Sequence, residues 1–167
     1  FGNLFVSISH GMWGIRNFYI YPSSSDDIID KYHIFPLKDL GKVPLISFVG
    51  HTHIPWVFSV ASEWNNRNEP AIDYGEELSL KESFYVINPG SVGNPRDGDR
   101  RLSYLVLDTE AITITFYRLP YDIDAVSNAL VNKRFDMETL MHFDKATIPE
   151  KGISQTNRDE MKRRLKN

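Results

Sequence analysis

Cysteine is absent from all 167 residues. That removes disulfides, thiolate metal sites and cysteine nucleophiles, and leaves His, Asp, Glu and Asn as the side chains able to hold a metal ion. No apolar run approaches the roughly 20 residues that cross a bilayer as a helix. The opening Phe1-Gly2-Asn3-Leu4-Phe5-Val6 has neither the basic start nor the length of a signal peptide. A cytoplasmic protein is the resulting expectation. An excess of charge is also lacking: 19 Lys and Arg face 22 Asp and Glu, for a formal net charge of -3. So near a balance gives no overall field to gather nucleic acid or an anionic membrane. The first residue is Phe1 rather than Met, followed almost at once by an apolar run, which reads either as a start inside a fold or as removal of a leader.

What is present is the balance of a globular domain, 41% hydrophobic and 25% charged, with length for one core. Leu4 to Ser9 is a β-rich run ending in His10-Gly11, and Val43 to Val49 is another ending in Gly50-His51. Between them, Ser23-Ser24-Ser25-Asp26-Asp27 offers caps and first-turn acids for a helix carrying Ile28, Ile29 and Tyr32, which Pro36 stops. Strand, helix, strand at this spacing predicts a βαβ unit with two parallel neighbouring strands.

Beyond the second histidine cluster the pattern changes to strands without helices, at Trp56 to Val60, Phe84 to Ile87, Leu102 to Leu107 and Ile112 to Leu119. These read as an antiparallel meander, with Ile112, Ile114 and Phe116 on one face of the last strand. The polar stretch from Ser62 to Lys81 reads as a surface excursion. From Tyr121 the period lengthens to that of a helix, with Ile123, Val126 and Leu130 on one face, followed by a second short helix around Met137, Leu140 and Met141. The basic tail from Ser154 to Asn167 reads as a solvated helix end or as a patch for nucleic acid. The fold class expected is α/β (α+β), with residues 1–125 in the main domain and 126–167 as a helical extension and tail.

The chemistry gathers at strand ends. In open α/β sheets, ligands collect outside the carboxyl ends of the strands, where side chains converge above a dry core. His10, His51 and His53 fall at that edge. In Gly50-His51-Thr52-His53 an extended backbone points both imidazoles to one side, whereas a bend lets them serve two adjacent ions. The flanking glycines permit close backbone approach or positive φ. On pattern alone these histidines read either as metal ligands or as groups that hydrogen-bond to carbonyls. Asn88-Pro89-Gly90-Ser91 reads as a tight turn that shapes the rim. Arg96 either meets a phosphate oxygen or pairs with Asp97 or Asp99. Trp13 and Trp56 read as core or as the wall of an entrance.

Three stretches, SISHG at 7–11, FVGHTHIPWVF at 48–58 and YVINPGSVGNPRDGDRRLSYLVLD at 85–108, resemble the last three signatures of bacterial calcineurin-like metallophosphoesterases, in order and in spacing. The similarity continues through YRLPYDIDAV at 117–126. The resemblance implies the C-terminal half of a four-layer αββα sandwich, a mixed sheet with an antiparallel meander and C-terminal helices. It implies a hydrolase, a phosphatase or phosphodiesterase, in which two divalent ions (manganese, iron, zinc or cobalt) share a bridging carboxylate and a hydroxide that attacks phosphorus. By this resemblance His10 and His51 ligate one ion and His53 the other; Arg96 is the candidate substrate residue on the chemistry of its planar fork alone.

The family's earlier signatures, Asp-x-His, Gly-Asp and Gly-Asn-His, are absent from residues 1–167. No catalytic residue is therefore expected in this chain, and three neutral imidazoles cannot by themselves balance two adjacent dications. The implied partners are a missing N-terminal half or partner chain and a phosphorylated small molecule, nucleotide or phosphoprotein substrate. The alternatives are an inactive binding or scaffold module that associates with another chain, and a nucleic-acid-binding domain using the basic tail.

Overall fold

The computed structural model describes residues 4–11, 19–21, 45–60, 67–68, 72–80 and 84–133. These form two sheets and one helix. The strands are β1 Phe5–Ser9, β2 Leu45–Val49, β3 Pro55–Val60, β4 Arg67–Asn68, β5 Glu77–Ser79, β6 Phe84–Pro89, β7 Leu102–Asp108 and β8 Thr113–Leu119; helix α1 is Ile123–Asn132.

The larger sheet has the order β1-β2-β6-β3-β4 and the smaller one β5-β8-β7. As the sequence pattern predicts, β1 and β2 are parallel neighbours, in register from Phe5 opposite Leu45 to Ser9 opposite Val49. Two parallel strands that end level must deliver the residues after them to the same edge, and Gly50 N accordingly donates to the His10 carbonyl at 3.0 Å. β6 runs parallel to β2 on one side and antiparallel to β3 on the other.

Both faces are covered at the centre of this sheet, which is why β2, β3 and β6 read as nearly unbroken apolar runs, whereas Ile8 on the edge strand β1 is exposed. Val49, Trp56, Phe58 and Val86 pack with Ile20 on one face. Ile46, Val57, Tyr85 and Ile87 pack on the other with Leu80, Ile114 and Phe116 from the smaller sheet and its approach. Burying each of the larger aliphatic or aromatic side chains stabilises the fold by about 1.5–3 kcal/mol. Trp56 belongs to this core, not to an entrance.

The antiparallel pairs expected from Trp56 onward are present, but they divide between sheets: β3 pairs with β6, and β8 pairs with β7 and β5. The division follows from the side chains, because β6 alternates Tyr85 and Ile87 with Val86 and Phe84 and so fills both faces of a sheet centre. On β8, by contrast, only Ile114 and Phe116 are fully buried. The polar stretch read as a surface excursion contains β4 and β5, whose Leu78, with Leu80 just beyond, packs into the core while Glu77 and Ser79 face water. Such period-2 alternation is a strand signal that the surrounding acids obscure.

Helix α1 starts at the cap Asp122, whose carboxylate accepts from Ala125 N at 2.9 Å, with Asp124 in the first turn. Ile123, Val126 and Leu130 form its half-buried side, as the spacing predicts. The helix expected before Pro36, the one around Met137 to Met141 and the basic tail lie outside the described residues. Among the described residues no helix is long and apolar enough to cross a membrane.

Candidate metal centre

The register of β1 and β2 brings His10 and His51 together. His51 Nδ1 and His10 Nε2 are 2.8 Å apart, with ring centroids 4.7 Å apart and planes at 73°. One nitrogen of the two carries a proton and donates it to the other. Gly50 permits the approach, since a Cβ there would stand 3.3 Å from the His10 carbonyl oxygen. Positive φ falls not on this glycine but on the histidines themselves, 68° at His51 and 61° at His53. The segment is thus bent rather than extended, with the His51 ring on His10 and the His53 ring on the Asn94 carbonyl.

Left-handed backbone costs a residue with a Cβ about 1–2 kcal/mol, so something must hold the bend. Asn88, fully buried at the end of β6, does so. Its Nδ2 donates to the Gly50 carbonyl at 3.1 Å and to Thr52 Oγ1 at 2.8 Å, and its Oδ1 accepts from Gly90 N at 2.9 Å. Thr52 N closes the turn on the Gly50 carbonyl at 2.8 Å.

His53 is held by the loop that follows β6. Its Nδ1 lies 2.7 Å from the Asn94 carbonyl. A carbonyl oxygen only accepts, so Nδ1 carries the proton and Nε2 keeps its lone pair, the tautomer of a histidine prepared to ligate through Nε2. Arg96 N donates to the His53 carbonyl at 3.4 Å. Ser91 Oγ accepts from Asn94 N at 2.9 Å and fixes the loop's path. Ser103 ties that path to β7 through Ser103 N to the Ser91 carbonyl at 2.7 Å and its Oγ to the Pro89 carbonyl at 2.8 Å.

Electrostatics favour neutral rings at His51 and His53. Burial lowers the pKa of His51, and the proximity of His10 and then Arg96 adds to the effect. Burial and then Arg96 lower that of His53, against an opposing contribution from the Asn94 hydrogen bond. Neutral imidazole is the form that binds a cation. Tyr19 lies against His51 with centroids 4.0 Å apart, and Tyr21 stacks on Tyr19 at 5.8 Å. Burial, then Tyr19, pushes the Tyr21 hydroxyl up to about 12, and the two stacked rings form an aromatic wall beside His51.

The donor set fits a metal in part. Two nitrogens bound to one ion at about 2.1 Å stand about 3.0–3.4 Å apart for octahedral to tetrahedral angles, so the 2.8 Å between His10 Nε2 and His51 Nδ1 needs only a small opening to admit one. His51 Nε2 is buried without a hydrogen-bond partner. Carboxylates are what is missing: among the described residues no three His, Asp or Glu side chains converge on one point.

No protein-family model matches the chain. The crystal structure of a metallophosphoesterase from Sphaerobacter thermophilus matches with a TM-score of 0.69 and 29% identity, over 85% of this chain and 55% of that one. The chain has the calcineurin-like metallophosphoesterase fold. An uncharacterized protein of Methanocaldococcus jannaschii is 36% identical over 116 residues, 70% of this chain and 40% of its own length. A hypothetical protein from Pyrococcus horikoshii matches with a TM-score of 0.48 at 15% identity, over 83% of this chain and 44% of that one. The chain therefore spans about half the length of the relatives it matches, or less.

Within the metallophosphoesterase fold, the structure pairs His10 with His51 and turns His53 toward the loop after β6. Arg96 N meets the His53 carbonyl beside that loop, and among the described residues Arg96 forms no ion pair with Asp97 or Asp99. Asp97 is taken by Arg118, and Asp99 by Arg101 at 2.6 Å. In the sequence Asn88 stands only as a turn residue, and nothing marks Thr52, Asn94, Arg118 or Tyr19 as part of the site. Asn88 was within reach as the one polar residue closing an apolar strand, whereas Asn94 acts through its backbone carbonyl, for which side-chain identity is no signal.

Proposed function

We propose that the complete protein is a dinuclear metal-dependent phosphoesterase, in which His10 and His51 hold one ion and His53 the other. The observation that carries this is the 2.8 Å approach of two imidazole nitrogens beside a third imidazole whose free nitrogen is set by Asn94. The similarity to a metallophosphoesterase at 29% identity supports the class. When bound, two divalent ions would supply the attacking hydroxide and neutralise the phosphoryl oxygens. Imidazole nitrogen suits manganese, iron, zinc or cobalt.

The chain's own part is to present neutral ligands, to hold them with the Asn88 network and to exclude water from one side with Tyr19 and Tyr21. The bridging carboxylate and the remaining ligands come from residues outside those described, in the other half of the fold or in a partner chain. The substrate is a phosphate monoester or diester, carried by a small molecule, a nucleotide or a phosphoprotein. A cytoplasmic location belongs to the same reading. A second reading, a non-catalytic module that docks on another chain, is favoured by the lack of any three-ligand cluster among the described residues.

Metal content and turnover of aryl phosphate esters by the complete natural protein decide between them. About two transition-metal ions per protein, activity lost to a chelator, and loss of about one ion and at least about a thousandfold of activity in His53→Asn support the enzyme. A natural protein that is metal-free and inactive, and stays inactive when manganese or zinc is added, leaves the module.

A further inference from the structure

The loop that orients His53, residues 91–101, is tied at both ends to one cross-strand pair of the smaller sheet, Ser103 on β7 opposite Arg118 on β8. Ser103 holds the start, with its N–H on the Ser91 carbonyl at 2.7 Å and its hydroxyl on the Pro89 carbonyl at 2.8 Å. Arg118 holds the end. Its guanidinium binds Asp97 and donates to the Arg101 carbonyl at 3.1 Å, with Nε 3.8 Å from Asp99. Between these ties lie both contacts to His53: the Asn94 carbonyl on Nδ1 at 2.7 Å, and Arg96 N on the His53 carbonyl at 3.4 Å.

Arg118 is placed to hold chain rather than to meet a ligand. Its side chain is only 3% exposed, and its guanidinium carbon stands 5.1 Å from the centre of the Tyr74 ring. Asp97 depends on it: Oδ1 of that carboxylate is buried with no hydrogen-bond partner, and among the described residues Arg118 is the cation that pairs with the other oxygen. A buried carboxylate left without its cation is costly, so Asp97 would swing toward water. The link back to Asn94 is short and stiff. Asp97 stands three positions after Asn94, with the buried Pro95 between them fixing its own φ. A shift of Asp97 therefore reaches the Asn94 carbonyl, the acceptor that sets the proton on His53.

We infer that Arg118 is a positioning residue for His53: by fixing Asp97 it keeps the Asn94 carbonyl on Nδ1, the proton on that nitrogen and the lone pair on Nε2. Use of that lone pair for a metal rests on the phosphoesterase reading, whereas the tautomer does not. An arginine suits the role because its planar fork reaches Asp97 and the Arg101 carbonyl together, which a single ammonium does not.

The test uses the complete natural protein, freed of metal by a chelator and labelled with nitrogen-15 in its histidines. Long-range proton–nitrogen spectra in mildly alkaline buffer read the tautomer of His53, whose signals are assigned by their loss in His53→Gln. A protonated Nδ1 and a bare Nε2 are expected in the natural protein. Arg118→Met keeps the length of the side chain without its charge. It is expected to add the Nε2-protonated form and to weaken zinc binding, followed by calorimetry, by about 10- to 100-fold. Arg118→Lys should restore part of both. Adding Asp97→Asn to Arg118→Met removes the unpaired buried carboxylate, so the melting temperature should recover in part while the His53 proton stays divided, a separation that a merely structural arginine would not give. If Arg118→Met alone does not fold, the double variant carries the reading. A His53 tautomer unchanged in the folded variants, or a proton on Nε2 in the natural protein, overturns the inference. A natural protein that binds no zinc removes His53 from the metal reading, and the tautomer alone then supports or overturns the role of Arg118.

Discussion

Replacing Asn88 by Ala should destabilise the protein by about 2–4 kcal/mol, and the figure follows from what each lost bond leaves behind. Thr52 is fully buried, so its Oγ1 loses a donor at 2.8 Å that water cannot replace, which costs about 1–3 kcal/mol. Gly90 N loses its acceptor at 2.9 Å but is only half-buried, so water recovers part of the roughly 1 kcal/mol at stake. The Gly50 carbonyl loses the 3.1 Å bond yet keeps Thr52 N at 2.8 Å, so it contributes least. Urea unfolding of the complete protein measures the sum, and a thermal melt should show a fall of about 4–16 °C. Asn88→Asp must not rescue, because it keeps an acceptor for Gly90 N but sets a carboxylate oxygen against the Gly50 carbonyl. A loss below about 1 kcal/mol for Asn88→Ala, or native stability in Asn88→Asp at pH 7, would refute the assignment of Asn88 as the clamp on the histidine turn.

Two further substitutions and conditions probe the same edge. Gly90 has φ of 86°, and a Cβ there would lie 2.7 Å from Ser103 Cβ and 2.8 Å from its Oγ. Gly90→Ala should therefore cost about 2–5 kcal/mol, from backbone strain plus overpacking. Adding Ser103→Gly removes the two shortest contacts but neither the strain nor the 3.2 Å approach to Pro55 Cδ, and it loses the Ser103 Oγ bond to the Pro89 carbonyl, so urea unfolding of the double variant should recover only part of the loss. For pH, His51 and His53 both have folded pKa values lowered from 6.5. Below pH 6.5 the unfolded chain binds more protons than the folded one, so their contribution is complete above that pH and is lost as pH falls through the lowered values. In chelator-treated protein, stability should drop as pH is lowered below 6.5, and the His51→Gln, His53→Gln double variant should flatten that drop. An unchanged slope would mean that other groups carry the acid sensitivity.

Much of the site was legible because it depends on where strands stop. Leu4 to Ser9 and Leu45 to Val49 announce themselves by apolar, mostly β-branched or aromatic residues interrupted only by serines, and His10 follows the first directly and His51 the second after Gly50. The parallel pairing of those strands was legible from the spacing between them. The splitting of the later strands between two sheets was harder to read, because each antiparallel pair looks the same locally whether or not the next strand joins it. Leu78 and Leu80 were hidden by acids around them, although their alternation is a strand signal.

The amino-acid sequence alone determined which elements form and which residues stand at their carboxyl ends, because period and turn chemistry act over a few residues. The histidines His10, His51 and His53 after two strands, the lack of cysteine and the lack of a nearby carboxylate signature were likewise fixed by composition and order. Tertiary structure decided the rest. The 2.8 Å meeting of His10 and His51 joins residues 41 apart, the proton position on His53 is set by a carbonyl 41 residues away, and Asp97 is drawn from Arg96 by an arginine 21 residues on. Such choices belong to long-range pairing, where one side chain takes a partner that local reading would give to its neighbour, and only the folded register of the two sheets shows which partner wins.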